Sequence, residues 1–141
     1  MMLDRKEASV KQPHYHVTAG LIRNNDKILI TQRLSDDKFG GLWEFPGGKQ
    51  KAGETLEQCL TREINEELNI QIQVNKKFMT VSHDYDEVQI TLHIFQCTFL
   101  DGIPEKKGVQ DWRWVDLAEF DQYDFTEADK LVIKRLKNPD H

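Results

Sequence analysis

The sequence contains only two cysteines and four prolines, has no long hydrophobic run and carries no excess of positive charge. Cys59 and Cys97 are too few for a disulfide framework or a cysteine-rich metal site, so we expect two small buried residues in a reducing compartment. No stretch approaches the length of a membrane-spanning helix, and the polar first residues do not have the pattern of a signal peptide. These absences predict a cytoplasmic protein with no membrane partner.

The charge balance limits the possible partners. The 141 residues carry a formal net charge of −5. Proteins that bind the nucleic-acid backbone are usually basic, so we expect no stable nucleic-acid complex. A hydrophobic fraction of 38% and a charged fraction of 30% are typical of a globular protein. Without a repeat or an interdomain linker, the pattern predicts a single domain over 1–141, with a core at about 14–137.

What the sequence does contain is a cluster of carboxylates after a glycine turn, in the segment GKQKAGETLEQCLTREINEELNI at 48–70. Glu63, Glu66 and Glu67 are spaced i, i+3, i+4, which places their carboxylates on adjacent turns of a helix predicted at 55–68. Like charges at this spacing repel one another. A divalent cation would convert the repulsion into binding, because hard cations prefer carboxylate oxygens.

The predicted helix has an unusual apolar face. Thr55 and Gln58 form a capping-box pattern at its start. On the helical wheel, Glu63 and Glu67 fall inside the apolar stripe instead of on the opposite, solvated face. The apolar stripe consists of Leu56, Leu60, Ile64 and Leu68, with Cys59 beside it. A buried carboxylate is costly unless it is paired or bound to a metal, so the two acids indicate a metal site.

The spacing of these residues resembles the Nudix hydrolase signature, G-x5-E-x7-R-E-U-x-E-E-x-G-U, where U is aliphatic. The matching positions are Gly48, Glu54, Arg62, Glu63, Ile64, Glu66, Glu67 and Ile70. One position departs from it, since Asn69 stands where the second glycine is expected. Asparagine adopts the left-handed conformation more readily than most residues, so we expect Asn69 to end the helix.

The resemblance extends along the chain to the MutT-type nucleotide pyrophosphohydrolases, through HVTAGLIRNNDKILITQR at 16–33, LWEFPGGK at 42–49 and the region that begins at Trp112. It implies an α/β (α+β) fold, an α/β/α sandwich around a mixed β-sheet. The local patterns agree with that fold. They predict a hairpin at 15–34, strands at 43–45, 70–82, 88–100 and 112–115, and a last helix at 126–137.

The activity that the resemblance implies is Mg²⁺-dependent hydrolysis of a nucleoside triphosphate to a nucleoside monophosphate and pyrophosphate, with Mn²⁺ as a possible substitute. Oxidised or modified nucleotides such as 8-oxo-dGTP are the first expected substrates. The alternatives are a cytidine-nucleotide (CTP/dCTP-type) pyrophosphohydrolase, an enzyme for another diphosphate such as ADP-ribose, and a non-catalytic base-recognition module. Modules of the last kind lose glutamates that this chain keeps. The oligomeric state stays open between monomer and homodimer.

The carboxylates of the motif divide into two predicted roles. Arg62 is placed to orient Glu54 and Glu66 through paired hydrogen bonds, and Glu54 is either such a partner or a further metal ligand. The expected metal ligands are Glu63, Glu66, Glu67 and, by resemblance, the backbone carbonyl of Gly47.

The general base is not evident from the sequence. Many relatives carry a glutamate on the loop before the strand at 112–115, and here Gly108 occupies that position. Glu105 is the nearest acid on this loop. Glu44 matches a glutamate of the MutT-type enzymes and is another candidate, as are the glutamates of the motif.

The expected substrate contacts lie elsewhere in the chain. Arg33 and Lys49 are expected to contact phosphates, and Phe45 and Phe125 to flank the base. The resemblance places a base-reading residue at Asp129, near the start of the last helix. An ionised carboxylate only accepts hydrogen bonds, so Asp129 would favour a base edge with N–H groups, such as guanine N1/N2 or cytosine N4.

Overall fold

A mixed β-sheet forms the centre of the fold in the computed structural model, which describes residues 13–139. Within that range, strands β3, β2, β1, β6 and β5 lie side by side in this order, while β4 pairs with β1 and β7 pairs with β2. The pairing of β1 with β6 is parallel and the other pairings are antiparallel. The strands are β1 His14–Asn24, β2 Lys27–Gln32, β3 Trp43–Glu44, β4 Gly47–Lys49, β5 Gln71–Tyr85, β6 Val88–Asp101 and β7 Asp111–Val115.

Two α-helices cover opposite faces of this sheet, α1 at Leu56–Leu68 and α2 at Glu127–Lys137. A 3-10 helix at Leu117–Gln122 precedes α2. Side chains alternate between the two faces of a strand, so on β1 Leu21 packs in the apolar cluster under α2 and Ile22 in the cluster under α1. The expected α/β/α sandwich is therefore confirmed. Neither helix of the described chain has the length and apolar character needed to cross a membrane.

The ends of α1 form as the local sequence predicts. The Thr55 hydroxyl accepts a hydrogen bond from the backbone N–H of Gln58 at 3.0 Å, and the Gln58 side chain accepts one from the backbone N–H of Thr55 at 2.9 Å. Asn69 has φ 55° and ψ 42°, and its backbone N–H bonds to the carbonyl of Asn65. The prediction that Asn69 ends the helix in the left-handed conformation is confirmed.

Strand β4 differs from the prediction, which had a turn after the strand at 43–45. The segment pairs with β1 through Ala19 opposite Gly47 and Thr18 opposite Gly48. Any Cβ at Gly47 would overlap the backbone of Thr18. Glycine is needed here for close backbone approach, and the added pairing places this segment beside Cys59, Arg62 and Glu63 of α1.

The β5–β6 hairpin also differs slightly, because β5 continues to Tyr85 and leaves only Asp86 and Glu87 in the turn. The prediction ended this strand at 82. The three additional residues bring the end of the hairpin to the cleft described below.

Candidate active site

A cleft of about 580 Å³ opens between the sheet, α1, the start of α2 and the loop that follows β2. Eight of the expected site residues line it: Arg33, Glu44, Phe45, Gly47, Lys49, Glu63, Glu67 and Asp129. The other four, which do not line it, are Glu54, Arg62, Glu66 and Phe125. The fold thus brings residues from three distant parts of the chain to one surface.

The Arg62 guanidinium lies at the centre of the acidic cluster. Its Nε and Nη2 donate to the two carboxylate oxygens of Glu54 at 2.9 and 2.8 Å. Its Nη1 donates to Glu63 at 3.1 Å and to Glu66 at 3.2 Å. The two hydrogen bonds from Arg62 to Glu54 make the largest contribution to lowering the pKa of Glu54 to about 2, and the hydrogen bond from the backbone N–H of Lys51 makes the next largest. Arg62 therefore holds three carboxylates in place on one side of the cleft.

Glu67 faces the cleft without a contact to Arg62. Burial raises its pKa to about 8, and the charges of Glu63 and Glu44 add to the effect. Burial also raises the pKa of Glu44, although the Arg33 guanidinium opposes the change. A divalent cation at this point would favour the ionised forms of both groups, because an opposite charge stabilises a carboxylate.

The donor atoms fit a hard cation in kind. Glu63 and Glu67 present carboxylate oxygens, the donors that hard cations prefer, at the cleft. Glu66 lies on the same helix, and 53% of its side chain is exposed. Within residues 13–139, no three acidic, histidine or cysteine side chains converge in metal-ligand geometry. Glu63 and Glu66 instead turn toward Arg62, so rotation of these side chains would be needed to complete a coordination sphere.

Comparison with known proteins identifies the family of this chain. The NUDIX domain family matches residues 18–135. The chain belongs to this family. The 8-oxo-dGTP diphosphatase of Escherichia coli (strain K12) is 36% identical over 122 residues, covering 86% of this chain and 95% of that protein. The CTP pyrophosphohydrolase of the same strain is 33% identical over 118 residues, covering 84% and 87%.

The fold agrees with solved structures as well. A structure from a structure and function analysis of MutT from Aliivibrio salmonicida and Vibrio cholerae superposes with a TM-score of 0.70 at 36% identity. The match covers 86% of this chain and 95% of that chain. Nudix hydrolases generally use divalent cations, which accords with the carboxylate oxygens at this cleft.

Asp129 lies at the opposite end of this Nudix cleft and is only 3% exposed. Its Oδ2 accepts a hydrogen bond from the backbone N–H of Phe45 at 3.0 Å, while Oδ1 has no hydrogen-bond partner among the described residues. Burial raises its pKa to about 8, and the charge of Glu44 adds to the effect. The hydrogen bond from the Phe45 N–H offsets this only in part. The sequence predicts an ionised acceptor at this position. With the raised pKa the carboxyl group also has a protonated form, which both donates and accepts.

The expectation that Phe125 flanks a base is wrong. Phe125 is 3% exposed and belongs to the apolar cluster under α2, with its ring centroid 5.6 Å from those of Phe45 and Phe120. It does not line the cleft. Phe45 is also part of this cluster but does reach the cleft wall, so it keeps its place among the expected contacts.

The two expected phosphate contacts already have partners. Arg33 donates to the Glu44 carboxylate at 2.9 Å and to the backbone carbonyl of Lys38 at 2.9 Å. These two hydrogen bonds connect the loop after β2 to strand β3. The Lys49 ammonium lies 4.0 Å from the ring centroid of Tyr15. Both side chains line the cleft, and their contacts with phosphate stay predictions.

The structure narrows the choice of general base. Glu105 accepts a hydrogen bond from the Asn69 side chain at 2.8 Å, at the end of α1, and does not line the cleft. Gly108 does line it, and a Cβ there would come within 3.1 Å of the Glu67 side chain. Glu44 and the motif glutamates that face the cleft are thus better placed than Glu105.

One wall of the cleft was missed by sequence reasoning. The Lys38 ammonium lies 5.3 Å from the ring centroid of Phe39 and 5.2 Å from that of Tyr85, and all three residues line the cleft. Phe39 has φ 62°, which a phenylalanine rarely adopts. The loop after β2 and the end of the β5–β6 hairpin meet only through the fold, so no local pattern signalled this wall.

Asp129 makes stability depend on pH in a defined direction. The pKa of Asp129 is about 8 in the folded chain, whereas its ordinary value is 3.8. Its contribution to the free energy of unfolding is therefore fully present below pH 3.8 and is lost as the pH rises through 8. Without nucleotide or metal, we predict that wild type loses unfolding free energy relative to Asp129→Asn between these two pH values. Chemical denaturation at a series of pH values measures the difference. Parallel profiles for the two proteins would show that Asp129 does not hold a proton in the folded chain.

Proposed function

We propose that this Nudix enzyme is a Mg²⁺-dependent nucleoside triphosphate pyrophosphohydrolase that acts on oxidised or modified nucleotides such as 8-oxo-dGTP. Its products are pyrophosphate and a nucleoside monophosphate. One observation supports the proposal above others. A single cleft has carboxylates of the Nudix motif at one end and a buried carboxyl with an unpaired oxygen, Asp129, at the other.

The acidic end would hold the cation and the triphosphate. Glu63, Glu66, Glu67 and the backbone carbonyl of Gly47 are the proposed ligands of Mg²⁺, and Mn²⁺ can replace it because it accepts the same oxygen donors. The bound cation supplies charge neutralisation for the phosphates and lowers the pKa of a ligated water. The acidic cleft would otherwise repel a polyanion.

The remaining charged groups at this end have separate proposed roles. Arg33 and Lys49 contact phosphate oxygens, and for Arg33 this adds to its bond with Glu44. Glu44 and Glu67 are the proposed candidates for the general base. Both line the cleft, where an ionised carboxylate can accept a proton from the attacking water.

The opposite end would read the base. Asp129 lines the cleft and its buried Oδ1 has no hydrogen-bond partner among the described residues, so a base that pairs with this carboxyl group is favoured over one that leaves it without a partner. In its ionised form Asp129 accepts from guanine N1/N2 or cytosine N4, and in its protonated form it can also donate. The second candidate function is a cytidine-nucleotide pyrophosphohydrolase. The same carboxyl supports it, as does the similarity to the CTP pyrophosphohydrolase.

A substrate panel tests the proposal. Release of pyrophosphate and of phosphate is measured with Mg²⁺ for 8-oxo-dGTP, dGTP, CTP and dCTP. ADP-ribose is included as a diphosphate of another class, and its hydrolysis is followed by the release of AMP. The expected result is the highest kcat/KM for 8-oxo-dGTP, with pyrophosphate as the released product. A preference for CTP or dCTP would establish the second candidate. No hydrolysis of any compound in the panel would contradict both.

Replacing Glu67 by glutamine should abolish most activity without unfolding the protein. The change removes a proposed cation ligand and a negative charge but keeps the size of the side chain. We expect kcat to fall by about 10²-fold or more, and wild type to be inactive without a divalent cation. Glu57→Gln is the matched control, since Glu57 is an exposed residue in the first turn of the same helix. Near-wild-type turnover of Glu67→Gln would remove Glu67 from the cation site.

Replacing Asp129 should change specificity more than chemistry. In Asp129→Ala, the preferred nucleotide should lose about 1–3 kcal/mol in kcat/KM because a buried partner is removed, and the ranking should flatten. Asp129→Asn keeps the size and can keep the bond from the Phe45 N–H, so it should reorder the panel while activity remains. If both variants show the parental ranking, the base is read by other residues.

A further inference from the structure

Strand β4 presents its backbone carbonyls alternately toward and away from β1. The carbonyl of Pro46 accepts the N–H of Gly20 at 2.8 Å, and the carbonyl of Gly48 accepts a hydrogen bond from a side chain of β1. Because backbone groups alternate in direction along an antiparallel strand, the carbonyl of Gly47 between them faces away from β1. This is the carbonyl that the proposed function assigns to the cation.

Two buried side chains meet the Gly48 carbonyl. The Thr18 hydroxyl donates to it at 3.2 Å, and the Cys59 sulfur lies 3.5 Å from the same oxygen. The hydroxyl and the sulfur are 3.4 Å apart. Thr18 has a single hydroxyl proton, and it uses this proton in the hydrogen bond to the Gly48 carbonyl. The S–H of Cys59 is therefore a donor, and its acceptor is either the Thr18 hydroxyl oxygen or the Gly48 carbonyl. Thr18 is 1% exposed and Cys59 is 0% exposed, so water cannot replace either contact.

The position of Gly48 is coupled to that of Glu63. A Cβ at Gly48 would overlap the Glu63 carboxyl group, which shows how closely the carboxyl group lies against this backbone. The Arg62 guanidinium also donates to the next carbonyl, that of Lys49, at 3.2 Å. A shift of β4 would therefore move the Gly47 carbonyl and the carboxylate of Glu63 together.

A role as core filling alone does not account for the chemistry of this pair. Hydrocarbon side chains of the same volume would fill the space between β1, β4 and α1 equally well. The hydroxyl donates to the carbonyl, and the thiol donates either to the same carbonyl or to the hydroxyl. A buried hydroxyl is costly unless it is hydrogen-bonded. The donors connect β1 and α1 to the strand that carries the proposed carbonyl ligand.

We propose that Thr18 and Cys59 are positioning residues for the metal centre. Together they hold the Gly48 carbonyl, and through it they fix the Gly47 carbonyl and Glu63 in the arrangement that takes a divalent cation. Neither side chain touches the cation or the nucleotide. The inference rests on the proposed function, which assigns the ligands.

The test measures Mn²⁺ binding to the full-length protein without nucleotide, from the electron paramagnetic resonance signal of free Mn²⁺. Thr18→Val keeps the volume and removes the donor, and it should weaken Mn²⁺ binding by roughly 10-fold, as loss of a group that orients metal ligands usually does. Thr18→Ser restores the hydroxyl and should bind Mn²⁺ within about 2-fold of wild type. Chemical denaturation of each variant measures its stability alongside.

Thr91→Val is the matched control. Thr91 is a second buried threonine of the sheet, and its hydroxyl contacts the His14 side chain rather than β4. The Thr91→Val variant should bind Mn²⁺ with the affinity of wild type. Cys59→Ala should weaken binding in the same direction as Thr18→Val. The double variant should lose less than the product of the two single effects, since both donors serve one carbonyl.

A kinetic readout separates positioning from general damage. The Mg²⁺ concentration for half-maximal activity should rise in Thr18→Val and Cys59→Ala, while KM for the nucleotide at saturating Mg²⁺ stays within about 2-fold of wild type. A structural defect that spread through the cleft would move both constants.

The outcomes distinguish the proposed metal site from the positioning role of Thr18 and Cys59. If wild type itself does not bind Mn²⁺, the proposed metal site is wrong, and this inference is wrong with it. If wild type binds and Thr18→Val binds equally well, the positioning role is overturned while the proposed function stands. Equal weakening in Thr91→Val and Thr18→Val also overturns it. Should Thr18→Val not fold, Cys59→Ala decides, and an unchanged Mn²⁺ affinity there overturns the role.

Discussion

The hydrogen bonds of the Arg62 guanidinium are the interaction on which the acidic half of the cleft depends. Carboxylates spaced i, i+3, i+4 and partly buried repel one another, and Arg62 compensates by bonding to Glu54, Glu63 and Glu66. Its bond to the carbonyl of Lys49 also joins α1 to β4. The compensation is incomplete, because Glu67 is outside this network and its pKa rises to about 8. The fold thus leaves Glu67 as a half-buried acid to be neutralised by a proton or by a cation.

Strand β3 connects the two ends of the cleft. Glu44 bonds to Arg33 at the acidic end, and the backbone N–H of the next residue, Phe45, bonds to Asp129 at the other end. The charge of Glu44 raises the pKa of both Glu67 and Asp129. Neutralising charge at one end therefore lowers the cost of ionising the carboxyl group at the other. A cation bound by the motif would favour the ionised, accepting form of Asp129.

Features that are local in the chain could be predicted from the sequence. The capping box at Thr55, the apolar stripe of α1 and the left-handed Asn69 depend on residues within a few positions of one another, and the structure has all three. The family could be recognised for the same reason, because its motif is continuous. The clustering of Glu63 with Glu67 followed from helical spacing alone.

Features that depend on distant pairing could not be predicted. Strand β4 exists because it pairs with β1, about thirty residues earlier, and its glycines look like a turn when read locally. The contact of Lys38 with Tyr85 joins a loop to a hairpin that only the sheet brings together. The sequence predicts Phe125 beside the base, whereas its ring packs in the apolar cluster under α2. The raised pKa of Asp129 arises from burial, which composition and spacing do not specify.

The most direct test of the account is the effect of Mg²⁺ on the unfolding free energy of wild type and Glu67→Gln, at a pH above 8 and without nucleotide. Without Mg²⁺, the glutamine variant should be the more stable protein, because the folded-state pKa of Glu67 is raised and its stabilising contribution is lost as the pH passes 8. Saturating Mg²⁺ should stabilise wild type by about 3 kcal/mol at 100 times Kd and should stabilise the variant much less, so that the difference between the two proteins shrinks or changes sign. An equal response of the two proteins to Mg²⁺, or no response in wild type, would contradict the claim that this acidic cluster is built to hold a divalent cation.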